Sequence, residues 1–210
     1  METKESVVIK APNFGTTEFK IIGDVPYVQL RFSQKARNMM RSNMEAGQKR
    51  KRGSQKGARN FEEEFPQAMY VSTEGWHGIP ASSFRNAIIS ACRVVNFKMT
   101  IAKLSIFVKA DGFDKDDATP LVRIYGEPEP YESLVRNATG VADIRVRAMW
   151  RQWDAVVKVT YDLDQFNVQD VTNLLTRVGV QVGLGEGRPD SKASAGLGFG
   201  LFSLAQGEWE

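Results

Sequence analysis

An α+β fold is predicted by three features of this chain. Thr17–Phe32, Lys103–Ala110 and Ala155–Asp162 alternate apolar and polar residues, as half-buried strands do. Ile79–Val95 and the stretch after Asn167 repeat apolar residues at helical spacing. A glycine-rich segment, Gly179–Phe202, leads into a last strand at Phe199–Leu204.

Thr17–Phe32 reads as one long strand, bent or bulged at Gly23-Asp24-Val25-Pro26. In its second half Val28, Leu30 and Phe32 face one way, Gln29 and Arg31 the other. Ser33 caps a short helix to about Glu45, with Ala36, Met39, Met40 and Met44 at helical spacing. Gly47–Asn60 carries Lys49, Arg50, Lys51, Arg52, Lys56 and Arg59 and no acid. It has no large apolar residue, so it reads as a solvated basic loop, the usual kind of grip on a phosphate backbone. Phe61–Phe65 is an acidic counterweight, and Ala68–Ser72 is a short strand.

In Ile79–Val95 the residues Phe84, Ala87, Ile88, Ala91 and Val95 form one stripe, and Pro80, Ser82 and Ser83 mark the start. Lys103–Ala110 is a buried strand, Asp111–Thr119 an acidic loop, and Pro120–Gly126 a further short strand. Val141–Trp153 places Ile144, Val146, Ala148 and Trp150 on one strand face. Asp143, Arg145, Arg147, Met149 and Arg151 lie on the other, a basic stripe on rigid scaffold. Ala155–Asp162 is a valine-rich strand that could form a hairpin with it. Asn167 caps the final helix, with Val168, Val171, Leu174, Leu175 and Val178 inward, and Gly179 ends it.

With insertions 33–79 and 110–152 set aside, the core at 17–32, 80–109 and 154–204 reads strand, helix, strand, strand, helix, strand. That is the ferredoxin-like, or RRM-like, β-α-β-β-α-β order, with a glycine-rich loop before the last strand. It is read as a single domain over 1–210, with helices on one sheet face and the other face available.

The 210 residues suffice for one sizeable core, and 42% apolar with 25% charged residues is ordinary for a globular protein. A net charge of +3 says less than where the charges cluster. Cys92 is the only cysteine, which excludes an internal disulfide and a cysteine-built zinc site and fits a reducing compartment. The opening Met-Glu-Thr-Lys-Glu-Ser lacks a signal-peptide core, and no apolar run approaches spanning length. The expected setting is cytoplasmic, without a membrane partner.

The glycine-rich segment holds Gly183, Gly185 and Gly187, then Gly196, Gly198 and Gly200, with Arg188 opening the linker between the two runs. Alternate glycines clear one face of an extended segment for close backbone approach. The spacing is neither a dinucleotide fingerprint nor a P-loop. On its residues alone the segment is equally a glycine-rich hairpin or a bulged strand end.

Little supports catalysis. His77 is the only histidine; as a general base it could serve metal-independent RNA cleavage, but beside Trp76 it reads first as a packing residue. Asp114, Asp116 and Asp117 crowd one loop without the EF-hand pattern, and Asp162 and Asp164 sit where a turn wants them. Ser82 and Ser83 are explained as helix caps, and no serine or cysteine has a second histidine to serve it. Neither a metal nor a cofactor is expected. The basic loop, the arginine face and the glycine backbone together fit single-stranded nucleic-acid binding. Tyr27, Trp76, Trp150 and Trp153 are its stacking candidates, though each reads first as a core or interface residue.

Ile79-Pro80-Ala81-Ser82-Ser83-Phe84-Arg85-Asn86-Ala87 resembles the I-P-G-S-S-x-K-G-x helix start of the repeat-associated RAMP superfamily, especially the backbone subunits of CRISPR effector complexes. Arg93 falls near that family's closing arginine, and Gly183–Gly200 is similar to its glycine-rich loop. Thr17–Phe32 with its basic insertion is similar to the first core strand and its elaboration. The resemblance spans about residues 17–204 and extends to short uncharacterised bacteriophage proteins of the same fold. It implies a non-enzymatic subunit that self-associates side by side along RNA, or along DNA, with other effector subunits as partners. The implied contacts are the basic loop, Ser82, Ser83, Arg85, Arg145, Arg147, Arg151, the glycines at 183, 185, 187, 196 and 198, and Arg188. Two departures are plain: Ala81 and Asn86 stand where the family has glycine, and Ser33–Phe65 holds no aspartate for RNA cleavage. The alternatives are an endoribonuclease of this family using His77, and a phage structural or single-stranded-DNA-binding assembly protein.

Overall fold

The computed structural model describes residues 9–32, 34–45, 47, 61–136, 142–191 and 196–205. The fold is α+β, with antiparallel sheets and five α-helices among these residues. None of the helices is long and apolar enough to cross a membrane.

The first strand, β1 (Phe14–Gly23), turns Phe19 and Ile21 into the core. It does not continue as one bent strand. A Cβ on Gly23 would meet the Trp153 indole at 2.1 Å, so only glycine lets the chain pass that ring. Beyond the turn, β2 (Tyr27–Gln29) joins a different sheet. Helix α1 (Gln34–Glu45) follows, then α2 (Phe61–Gln67), β3 (Tyr70–Val71) and β4 (His77–Pro80).

Helix α3 (Ala81–Val94) buries Phe84, Ala87, Ile88, Ala91 and Cys92, the face that its apolar spacing dictates. Pro80 is its N-cap residue and no side chain caps it, so Ser82 and Ser83 are not the caps the sequence suggested. The helix stops at Asn96, whose φ of 56° is left-handed. Lys103–Ser105, expected in a strand, closes a short helix α4 (Met99–Ser105), because Ala102 and Ser105 pack inward at helical spacing. The strand β5 (Ile106–Lys109) starts only after it.

Next come β6 (Gly112–Phe113), β7 (Pro120–Tyr125), β8 (Pro128–Arg136), β9 (Ala142–Trp150) and β10 (Asp154–Asp162). The hairpin partner of β9 is β8, which sequence reading missed, and not β10. Pro128 and Pro130 disguise β8; as an edge strand it tolerates both. Instead β10 runs beside β1 from Phe14↔Asp162 to Ile22↔Asp154, with β5 and β7 sharing its other edge. Helix α5 (Val168–Arg177) starts at a capping box, Asn167 and Asp170 each bonding the other's backbone N–H. Gly179 does not end it: a five-residue π-turn, Val178–Val182, follows. A Cβ on Gly179 would lie 2.0 Å from the Phe202 carbonyl, so the residue serves contact with β11 (Phe202–Leu204).

The larger sheet runs β11-β1-β10-β7-β4-β3, with β5 on β10 and β6 on β7; the smaller runs β2-β9-β8. Helices α3 and α5 pack on one face of the larger sheet, over Phe19, Ile21, Ile106, Val122, Val157 and Val159. Tyr27, Trp150 and Trp153 join the sheets, with ring centroids 5.6 and 5.5 Å apart about Tyr27. All three rings are buried and offer no face to a base, which corrects their standing as stacking candidates.

Candidate nucleic-acid interface

The glycine-rich segment is a pair of interlocked turns, not an extended strand. Each of Gly183, Gly185, Gly187, Gly196, Gly198 and Gly200 has φ between 64° and 81°. The alternation therefore supplies left-handed backbone at every second position, a conformation that costs other residues energy. The two runs bond each other through Leu184 N–H to the Gly200 carbonyl and Gly198 N–H to the Gly187 carbonyl, both at 3.0 Å. Close approach is real as well: a Cβ on Gly200 would lie 1.9 Å from the Leu184 carbonyl, and one on Gly185 2.4 Å from that of Val28. Glu186 N–H to Val28 and Gly200 N–H to Pro26, each 2.8 Å, tie the segment to the turn between the sheets.

Ion pairs hold the rest. Glu186 accepts from Arg147 Nη2 at 2.8 Å and also from its Nε, a two-pronged clamp on β9. Arg93 Nη2 on α3 reaches Asp190 Oδ1 at 2.9 Å. Burial opposes ionisation of Asp190, but hydrogen bonds from Arg93 and Ser90 outweigh it and hold its carboxyl below the usual range. Arg188 Nη1 donates to the Gly185 carbonyl at 2.8 Å and, among the described residues, forms no ion pair.

Between this segment and α3 lies a cleft of about 450 Å³. Ser83, Asn86 and Ser90 line one wall, Gly183, Gly185 and Arg188 the other, and Tyr27, Gln29 and Tyr70 the floor. The floor is rigid. Gln29 Nε2 donates to the Tyr27 hydroxyl and the Gly78 carbonyl, both at 3.0 Å, and Gln29 Oε1 accepts from Tyr70 N–H at 2.9 Å. Burial pushes the Tyr27 phenol well above its ordinary value, so it stays neutral. The cleft thus offers uncapped serine, amide groups and one cation at a surface stripped of side chains. Such a surface suits a sugar–phosphate backbone passing close to protein main chain.

The other sequence candidates are scattered. Ser82 is exposed on α3 but does not line the cleft. Arg85 donates to the carbonyls of Ile106 (3.0 Å) and Lys103, and its guanidinium lies 5.0 Å over the Phe107 ring, away from the cleft. The arginine stripe of β9 is not a free basic face. Arg147 is buried on Glu186, Arg145 sits 3.5 Å from Asp143, and Arg151, past the strand's end, pairs with Glu129 at 2.5 Å. Alternation predicted the shared side of Asp143, Arg145 and Arg147, but not that Glu186 and Glu129 meet Arg147 and Arg151. Gly187, Gly196 and Gly198 shape the segment outside the cleft lining. Lys49, Arg50, Lys51, Arg52, Lys56 and Arg59 lie outside the described residues.

His77 is not in the cleft lining. Its ring packs edge-on to Trp150 with centroids 5.9 Å apart, and its Nδ1 is buried without a hydrogen-bond partner among the described residues. Burial pulls the imidazole below its ordinary value, against the opposing pull of Glu127. The ring contact is thus with Trp150 of β9 rather than with the neighbouring Trp76 from which packing was expected.

One charged cluster escaped the sequence. Arg31 is buried with Nη2 2.5 Å from Asp114 and Nη1 2.7 Å from Asp116, while Arg37 on α1 reaches Asp117 at 2.6 Å. Asp114 also accepts the backbone N–H groups of Val71, Asp116 and Asp117. The acidic loop is therefore a clamp on β2 and α1, and the run of aspartates was its only signal. Comparison with family models and with curated proteins finds no match for this sequence.

Proposed function

We propose that this chain is a non-enzymatic subunit that binds single-stranded nucleic acid, RNA in preference to DNA, and assembles side by side along the strand. One observation carries the reading. The two segments on which the RAMP resemblance rests lie about a hundred residues apart, yet Ser83 and Asn86 of one face Gly183, Gly185 and Arg188 of the other across a single cleft. A ferredoxin-like core is supported by the strand sequence β11-β1-β10-β5, antiparallel throughout, with α3 and α5 on one face. In this reading Arg188 and the basic segment 47–60 meet phosphates, while Ser83 and Asn86 bond sugar or phosphate oxygens. Arg147 and Arg93 act one step back, holding the glycine segment in place. The chemistry is binding alone, since the cleft lining holds no histidine and its two acids are engaged by arginines.

The test is to purify the protein, read its 260/280 nm absorbance ratio, and sequence what co-purifies. A 15-nucleotide labelled RNA and its DNA counterpart are then titrated at two salt concentrations. Salt-sensitive binding, tighter for RNA, is the expected result. Nucleic-acid-free protein that binds neither strand overturns the reading.

A further inference from the structure

We infer that the sheet face opposite the helices is a second contact for the same single strand, a platform on which its bases stack. This rests on the nucleic-acid reading above but uses residues remote from the glycine cleft.

Arg123 and Tyr125 of β7 point to this face, where Gly78 of β4 stands opposite Arg123 and Gly112 of β6 opposite Leu121. The Trp76 ring lies against both glycines. A Cβ on Gly78 would come 3.1 Å from the ring, and one on Gly112 would come 2.7 Å from it. Trp76 Nε1 donates to Glu74 Oε2 at 3.1 Å, which fixes the ring's orientation. The Arg123 guanidinium sits 5.9 Å from the Trp76 centroid and 5.0 Å from that of Tyr125. The result is a ladder of ring, cation and ring.

A second aromatic patch lies on the same face. Phe14 and Phe107 meet edge-to-face at 5.9 Å, and Arg85 lies over Phe107. Phe14, Phe107 and Tyr125 are 42%, 39% and 43% exposed, so their rings can be reached from solvent. Tyr125 stands opposite Asp154 and Phe107 opposite Thr160 on one strand, β10. At about 3.3 Å per residue the two patches are about 20 Å apart, a span of several nucleotides.

Between them the face is polar and cationic. Thr16 bonds Thr160, Lys158 is engaged by Glu18 and Asp111, and exposed Lys109 stands beside Lys158. Among the described residues neither Arg123 nor Lys109 forms an ion pair. The centre of a protein interface is depleted of lysine, whereas Lys109 and Lys158 lie between the two patches here. Flat rings spaced by unpaired cations match stacked bases joined by phosphates.

The experiment is fluorescence anisotropy of labelled oligouridine and oligothymidine with wild type, Phe107→Ala, Tyr125→Ala, the double variant and Arg188→Ala, each checked by thermal melting. Loss of either ring is expected to weaken binding by about fivefold or more, and loss of both by more still. The salt slope should stay unchanged, because the rings carry no charge. If the double variant fails to melt cooperatively, Phe107→Leu with Tyr125→Leu keeps apolar volume without a flat face and is read the same way. A double variant that binds both strands like wild type, while Arg188→Ala binds weakly, overturns the platform and leaves the proposed function standing. Wild type that binds neither strand overturns both.

Discussion

Arg147, with a side chain only 2% exposed on β9, grips Glu186 of the glycine-rich segment through one edge of its guanidinium, Nε and Nη2. A buried cation on the smaller sheet thereby positions a loop whose backbone is otherwise anchored to the turn between the sheets. The two partners are unequally buried, and the consequences of removing each differ. Glu186→Ala strands a guanidinium out of water, a loss of about 3–5 kcal/mol for a buried pair. Arg147→Met fills the space with apolar atoms and leaves Glu186, 35% exposed, free to turn to solvent. Its expected cost is about 1 kcal/mol. Urea denaturation of both variants measures the asymmetry, and equal losses would mean that leaving the guanidinium unpaired carries no penalty of its own.

Acid should release the clamp between the acidic loop and α1. Burial disfavours the charged form of Asp117, but hydrogen bonds from Thr119 and Arg37 win and bring its carboxyl from 3.8 to about 2. A folded-state value below the unfolded one contributes stability that is fully present above the unfolded value and is lost as pH falls through the folded one. The window is therefore about pH 4 down to about pH 2. Asp117→Asn is expected to melt below wild type at pH 6, with the gap closing across that window. A gap that stays constant to pH 2 would assign the effect to neutral hydrogen bonds alone.

Glycine substitutions separate the two uses of the alternating runs. Gly198 (φ 81°) and Gly200 (φ 71°) share a left-handed backbone. A Cβ on Gly198 meets nothing within 4 Å, whereas one on Gly200 overlaps the Leu184 carbonyl. Gly198→Ala should thus cost only the conformational penalty, about 1 kcal/mol. Gly200→Ala adds a clash with main chain that cannot move without breaking the bond between the two runs, and is expected to cost at least twice as much. Thermal melting of the pair checks this.

What the sequence made legible follows from which forces act locally. The inward face of α3 as far as Ala91 and the cap of α5 were readable, because spacing and the Asn167–Asp170 pair are local signals, whereas Val95 and Val168, read as inward at the helix ends, are exposed. The passage from β1 to β2 was not, since Gly23-Asp24-Val25-Pro26 reads alike whether a strand bends or changes sheet. Arg31, beyond the end of β2, and Arg147, within β9, were both read as polar positions of alternating strands, and alternation cannot reveal that Asp114 and Glu186 arrive to cover them. Likewise Ser83 and Arg188 stood out within their motifs, but only folding brings them to one cleft.

The charges assigned to phosphate can be counted by salt dependence. Each phosphate neutralised on a single strand contributes a log–log slope of about 0.7 through counterion release. Arg188→Ala removes one cation, so the slope is expected to fall by about 0.7. Stability should hardly change, since the side chain forms no ion pair among the described residues and bonds one carbonyl. Replacing Lys49, Arg50, Lys51 and Arg52 together, judged from composition because they lie outside the described residues, should lower the slope by up to about 2.8 if all four meet phosphate. Arg147→Met should leave the slope unaltered, because its charge is already spent on Glu186. Salt titrations of one labelled single strand against these three variants decide the assignment. Parallel lines for Arg188→Ala and wild type would remove Arg188 from the interface. A slope lowered by Arg147→Met would mean that the guanidinium leaves Glu186 when nucleic acid binds.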